Sequence, residues 1–278
     1  MTVRHDDLQV TWYGYATTRI ETEGGFVAYL DPGRYGVLTG EWTPVGGGNP
    51  KEVAHPRATN FRPEDADLVC VTHDHHYDSD GIQRVANEET TVVIYEGVDP
   101  SGIDRDVAPI SDLPGEIVRI GETDHLAVDG PDGGVPESRR DSGASQSAKR
   151  SGGADVWSVP AYNDPDGPRA DRDGNVPHPK GLGVGYRLAL GGSSVFWPGD
   201  SGALDAFAEL SVSLFLANIA GSVVSTAEES AALAERMDPD LVLPVHYNTI
   251  EILQADSAAF AADVAKRGVP VVLDEQEG

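Results

Sequence analysis

The sequence predicts a single α/β domain in which two β-sheets form a sandwich with helices on the outside. Short strand-like runs broken by glycine turns open the chain, a strand–helix–strand unit follows over residues 67–95, and helix alternates with strand through the last third. A length of 278 residues is ample for one core of this kind.

Residues 8–15 alternate as a strand does and break at Gly14; residues 17–22 and 26–32 read as strands on either side of the Gly24-Gly25 turn. Residues 33–62 carry many Gly and Pro without a sustained period, which predicts an irregular loop. Residues 67–72 form a buried strand that runs straight into His73-Asp74-His75-His76, followed by a helix over 79–89 and a strand over 90–95. Residues 128–155 are rich in Gly, Ser and Asp with few apolar anchors, and predict a flexible insertion within one domain. Beyond it come a strand over 156–160 and a hairpin of 185–190 with 194–197 across Gly191-Gly192. A strand over 214–217 precedes Ser225-Thr226-Ala227-Glu228, which has the form of a capping box and opens a helix through Arg236. A strand over 241–245, a helix over 257–267 and a strand over 269–273 complete the chain.

Acidic residues number 46 against 20 basic ones, for a net charge of −26, and only four of the bases are lysines. Such a surface repels nucleic acid and anionic lipid, and no basic patch offsets it. Excess carboxylate with scarce lysine fits a halophile, in which high ionic strength screens self-repulsion. Apolar residues at 39% are too many for a disordered chain and too few for a membrane protein. The start lacks the apolar stretch of a signal peptide, so the expected compartment is the cytoplasm. A single cysteine, Cys70, excludes an intrachain disulfide and a Cys-based zinc site; within its strand it reads as a small apolar packer.

Chemistry concentrates in histidines at strand ends. On an extended backbone, residues i and i+2 point the same way, so His73 and His75 converge while Asp74 faces elsewhere. Two imidazoles at the end of a buried strand make half of a first-row metal site. His178, Asp200 (after Gly199) and His246 (ending the run Leu243-Pro244-Val245) supply the other ligand types, at the strand ends where α/β folds assemble sites. His55 and His125 read as structural.

In this order the residues resemble the metallo-β-lactamase fold superfamily, and within it the ascorbate-6-phosphate-lactonase-like metal-dependent hydrolases. The likeness runs from Trp12-Tyr13-Gly14 and Leu30-Asp31-Pro32, through Val159-Pro160-Ala161-Tyr162-Asn163, His178-Pro179-Lys180-Gly181 and Gly199-Asp200, to Pro244-Val245-His246-Tyr247. It implies a four-layer αββα sandwich binding one or two metal ions. His73, His75 and His178 match the first metal's histidines, Asp200 the bridging carboxylate, and His246 the C-terminal ligand of the second. The family's His-x-His-x-Asp-His loop is altered here. Without gaps, Tyr77 stands at the family's Asp and Asp78 at its last His. With two residues deleted, His76 takes the last His and the Asp is missing. With one residue inserted after His75, Ser79 replaces the His. Tyr15 stands where many relatives have His.

The expected activity is metal-dependent hydrolysis of an ester, lactone or phosphoester in a small-molecule substrate. The metal ligands are His73, His75, His76, His178, Asp200 and His246; the cation they hold is expected to lower the pKa of a bound water from ~15.7 towards ~7 and so give a metal-bound hydroxide. Asp78 is expected to orient that water or take its proton, and Tyr162, Asn163 and Lys180 to line the pocket. Zinc is the expected ion, with manganese or iron compatible with mixed imidazole and carboxylate. The alternative is a non-catalytic metal- or ligand-binding relative with an altered loop. No nucleic acid or membrane partner is expected, and a homo-oligomer is left open.

The charge generates the first test. The melting temperature is expected to rise as KCl increases from ~0.1 M to ~2 M, because salt screens the excess carboxylates. A melting temperature that stays flat or falls over that range contradicts the halophile reading.

Overall fold

The computed structural model describes residues 2–40, 61–130 and 152–275. The first sheet begins as an antiparallel meander of β1 (Thr2–His5), β2 (Leu8–Gly14), β3 (Thr17–Thr22) and β4 (Val27–Leu30). It continues in parallel through β5 (Leu68–Val71), β6 (Thr91–Tyr95) and β7 (Glu116–Ile120), so its seven strands lie in sequence order. The second sheet holds β8 (His125–Val128), β9 (Ala154–Ala161), β10 (Gly183–Leu190), β11 (Ser193–Trp197), β12 (Leu214–Ala217) and β13 (Leu241–Pro244), from one edge to the other. It is antiparallel from β8 to β11 and parallel from β11 to β13.

Parallel neighbours need a crossover. Helix α1 (Ser79–Val85) makes it between β5 and β6, and α2 (Ala227–Met237) between β12 and β13; α3 (Ser257–Lys266) packs on α2. The two sheets meet face to face: the Tyr186 hydroxyl of β10 donates to Val71 O of β5 at 2.9 Å. One apolar cluster draws on both, with Val10, Ile20, Val69 and Val93 from the first and Leu188, Phe196 and Leu216 from the second. Strands β4, β5 and β12 are buried at every position, as apolar runs covered on both faces must be. The α/β sandwich is the architecture the sequence predicts. Among the described residues no helix is long and apolar enough to cross a membrane.

Several elements differ from expectation. β1, β7 and β8 are additional: all are short, partly exposed strands whose side chains mix charge with apolar residues, so no period announces them. Residues 269–273 contribute only one isolated bridge, Val271 to Val242. The capping box lies one residue later, with the Thr226 side chain and Glu229 as its reciprocal pair. At the edges of the acidic insertion, Val128 pairs with Ala154 and Asp155 belongs to β9; residues 131–151 lie outside the described residues. Of the irregular loop, residues 33–40 form turns, while 41–60, including His55, also lie outside. Cys70 is buried, as read, and burial pushes its thiol pKa up.

One close approach fixes where α1 sits on the first sheet. A Cβ on Gly81 would fall 2.5 Å from Gly33 Cα and closer still to Pro32 O, both backbone atoms with nowhere to move. Alanine gains about 1 kcal/mol of helix propensity over glycine, and overpacking costs about 1–3 kcal/mol. The clash is with backbone, so it should win. Gly81→Ala is expected to lower stability in denaturant unfolding by about 1–2 kcal/mol net, while Gly102→Ala, whose Cβ would meet nothing within 4 Å, stays near wild type.

Candidate metal centre

Strand β5 ends at Val71, and the chain then turns instead of staying extended. His76 N and Tyr77 N both donate to His73 O at 3.1 Å. The turn brings three imidazoles together, with the His73 ring centroid 5.0 Å from that of His75 and 4.4 Å from that of His76. Asp74 faces away, as expected, and accepts from Asp99 N at 3.0 Å. Two arginines that the sequence reading did not single out hold the turn through its carbonyls: Arg34 donates to His75 O, and Arg105 to Asp74 O and Tyr77 O at 3.0 Å each.

Loops at the ends of second-sheet strands bring the remaining groups. His178, between β9 and β10, is clamped by Asn163: its N–H donates to Asn163 Oδ1 at 3.0 Å, and Asn163 N–H to its carbonyl at 2.7 Å. Its Nδ1 donates to Val223 O at 3.1 Å, which turns Nε2 towards the centre. Asp200 follows β11 across Gly199, whose φ is 61° and whose Cβ would lie 2.6 Å from Val184 O; only glycine fits there. His246 follows β13, and its N–H donates to Tyr15 O at 3.0 Å.

Two donor sets result. One ligand atom each from His73, His75, His178 and Asp200 lies within 4.8 Å of the others, and likewise for His76, Asp200 and His246. Asp200 is divided between them. Its Oδ2 lies 3.2 Å from His178 Nε2 and 3.7 Å from His73 Nε2, while its Oδ1 lies 3.4 Å from His76 Nε2 and 3.6 Å from His246 Nε2.

Asp31, in the run Leu30-Asp31-Pro32, has no role assigned from sequence. It is 2% exposed, and its carboxylate accepts from Thr72 N at 2.8 Å, Trp197 Nε1 at 2.8 Å and His76 Nδ1 at 2.8 Å. The last bond fixes the His76 tautomer and leaves Nε2 for the centre. The available signal was a lone carboxylate at the end of an otherwise apolar buried strand, just before Pro32.

The donors fit a cation. His76 Nε2 faces His246 Nε2 at 3.2 Å and His75 Nδ1 faces His178 Nε2 at 3.3 Å, separations at which two ring nitrogens need a proton or a metal between them. His73 Nε2 and Asp200 Oδ1 are buried without a hydrogen-bond partner. Burial, reinforced by neighbouring imidazoles, holds His73 well below its usual pKa and His75 at about 4. Burial also lowers His246 to about 4 against the pull of Asp200. Burial opposes ionisation of Asp200, but the surrounding histidines outweigh it and keep the carboxyl well below the usual range. Imidazoles gathered around one carboxylate make a donor set that suits a metal ion.

Asp78 takes a different place from the one expected. It is the N-cap of α1, its Oδ1 accepting from Gly81 N at 2.9 Å and its Oδ2 from Arg34 N at 2.6 Å. Both oxygens accept from backbone amides, which ties the carboxylate to the N-terminus of α1 and to Arg34. Tyr77 is buried and donates to Ala108 O at 2.8 Å. Of the alignments open from sequence, the geometry matches the one that gives His76 the last histidine. Of the expected pocket residues, Asn163 positions His178, and Lys180 Nζ lies over the Tyr162 ring, 5.9 Å from its centroid. His125 is exposed, bonded to Asp155 Oδ1 at 2.8 Å and stacked on Trp157.

Comparison with known proteins gives the family and the fold. The chain is 25% identical over 265 residues to a UPF0173 metal-dependent hydrolase of Pyrobaculum arsenaticum, covering 92% of both chains. It shares its fold with Igni18, a novel metallo hydrolase from the hyperthermophilic archaeon Ignicoccus hospitalis, at a TM-score of 0.58 and 18% identity, covering 98% of this chain and 96% of that one. The metallo-β-lactamase fold protein YhfI from Bacillus subtilis matches at a TM-score of 0.59 and 13% identity, covering 98% and 99%. A family model described as the β-lactamase superfamily domain spans residues 9–246, from the second strand to the last histidine of the centre, and the chain belongs to that family.

Proposed function

We propose that this protein is a metal-dependent hydrolase with two cation positions: one held by His73, His75, His178 and Asp200, the other by His76, His246 and Asp200. The division of Asp200, with one oxygen toward each set, carries this reading. Bound divalent cations supply Lewis acidity there, acidifying water and polarising the oxygen of the group under attack. Zinc suits the histidine-rich set best, and manganese or iron is compatible with it.

The chain's own residues do the rest. Asp31 and Val223 O orient His76 and His178, so that Nε2 of each is presented to the centre. Arg34 and Arg105 hold the turn that carries His75 and His76. The donor set brings a single carboxylate, so occupied positions remain strongly positive and favour a substrate that develops or carries negative charge. Esters, lactones and phosphoesters all meet that description. Tyr162 and Lys180 lie beside the His178 loop and would meet the part of the substrate that does not react.

A second reading, a non-catalytic metal-binding relative, is favoured by one observation: the loop carboxylate that family members place at the centre has no counterpart here, because Asp78 caps α1. Hydrolysis of lactones, thioesters, phosphodiesters or β-lactams by metal-loaded protein separates the two. Turnover of any of these classes that is lost on chelation supports the hydrolase; no turnover across the panel by fully loaded protein supports the second reading.

Two variants test the ligand assignment. Asp200→Asn removes the one anionic donor shared by both positions, and is expected to lower metal content per chain after dialysis at fixed free zinc, with activity falling in parallel. Asp205→Asn, whose side chain is 93% exposed in an ion pair with Arg236, should match wild type. Asp31→Asn is expected to weaken the position holding His76 most, by about 10–100-fold, as loss of an orienting partner does. Full zinc content and wild-type affinity in Asp200→Asn would show that the carboxylate does not bridge.

A further inference from the structure

We infer that His5, Asp6 and Asp240 form a separate site for a divalent transition metal, which clasps the two sheets together at their edges. One ligand atom from each of the three lies within 4.8 Å of the others. The histidine makes this more than a cluster of acids. The His5 side chain is 8% exposed, and its Nε2 is buried without a hydrogen-bond partner, 3.5 Å from Asp6 Oδ2. A buried ring nitrogen left without a partner costs stability unless something binds it. Here two carboxylates, Asp6 and Asp240, stand beside it, and together they attract a cation.

The site's place in the fold suggests its role. His5 ends β1, the edge strand of the first sheet, and Asp6 lies in the turn to β2. Asp240 immediately precedes β13, the edge strand of the second sheet. An ion at this point would therefore cross-link two edges that share no backbone ladder. Both carboxylates are exposed, so the ion enters from solvent and completes its shell with water. One imidazole with two carboxylates selects zinc, manganese or a similar first-row dication over magnesium or calcium, which prefer oxygen throughout. Because the three residues come together only in the folded chain, binding there raises the stability of the native state.

The test uses zinc alone as the probe and reads metal per chain by elemental analysis after dialysis at fixed free zinc. Asp240→Asn leaves a solvent-exposed position of the same shape and is expected to bind one zinc fewer than wild type; His5→Gln should lose the same ion. The comparison is repeated with His178→Ala and His246→Ala combined, which disables the centre described above. That background should retain one zinc and gain thermal stability on zinc addition, and both effects should vanish when Asp240→Asn is added. Equal zinc content with and without Asp240 overturns the clasp, even if the proposed hydrolytic centre stands. Conversely, a background that loses no zinc relative to wild type counts against the hydrolytic centre without touching the clasp.

Discussion

The buried carboxylate of Asp31 is the point on which the centre depends. A charge with 2% exposure survives only when donors surround it. It finds them at two strand ends and one turn: Thr72 just beyond β5, Trp197 at the end of β11, and His76 in the turn that follows β5. The first two tie the sheets together at the sandwich's working end. The third converts that rigidity into chemistry, because a histidine whose Nδ1 is committed to Asp31 can offer only Nε2 to the centre. Fold and site share one anchor.

That anchor also explains how an altered histidine loop still builds two donor sets. The loop has adjacent histidines where relatives space them, and it has no carboxylate at the centre. Turning directly after His73 lets His75 and His76 diverge to different sets, while Tyr77 leaves for the core and Asp78 for the helix N-terminus. Arg34 and Arg105 grip the turn by its carbonyls, so the rings need not hold the loop in place. The cost is electrostatic: among the described residues Asp200 is the one carboxylate that belongs to both sets, and it must serve both.

Much of this was legible in the sequence. Buried central strands announce themselves as apolar runs, and the hairpin across Gly191-Gly192 and the helices at 227–237 and 257–266 follow from local rules. The order of His73, His75, His178, Asp200 and His246 pointed to a metal centre before any geometry. The edge strands β7 and β8 were not legible, because half-exposed strands interrupted by Arg119 or His125 carry no clean alternation. The role of Asp78 was hidden for another reason. Whether a carboxylate faces a metal or caps a helix depends on the turn before it, and spacing alone does not fix that turn. Asp31 and Arg34 act across more than 40 residues of sequence, a separation at which no local pattern links them to His75 or His76.

Anomalous diffraction at the zinc edge from crystals of zinc-loaded protein tests the central claim most directly, since it locates ions and names their ligands independently of activity. The account predicts two zinc positions at the centre, one beside His73, His75 and His178 and the other beside His76 and His246, each touching a different oxygen of Asp200. A single zinc with Asp200 bound on one side only, or an ion drawn to Asp78, would contradict it.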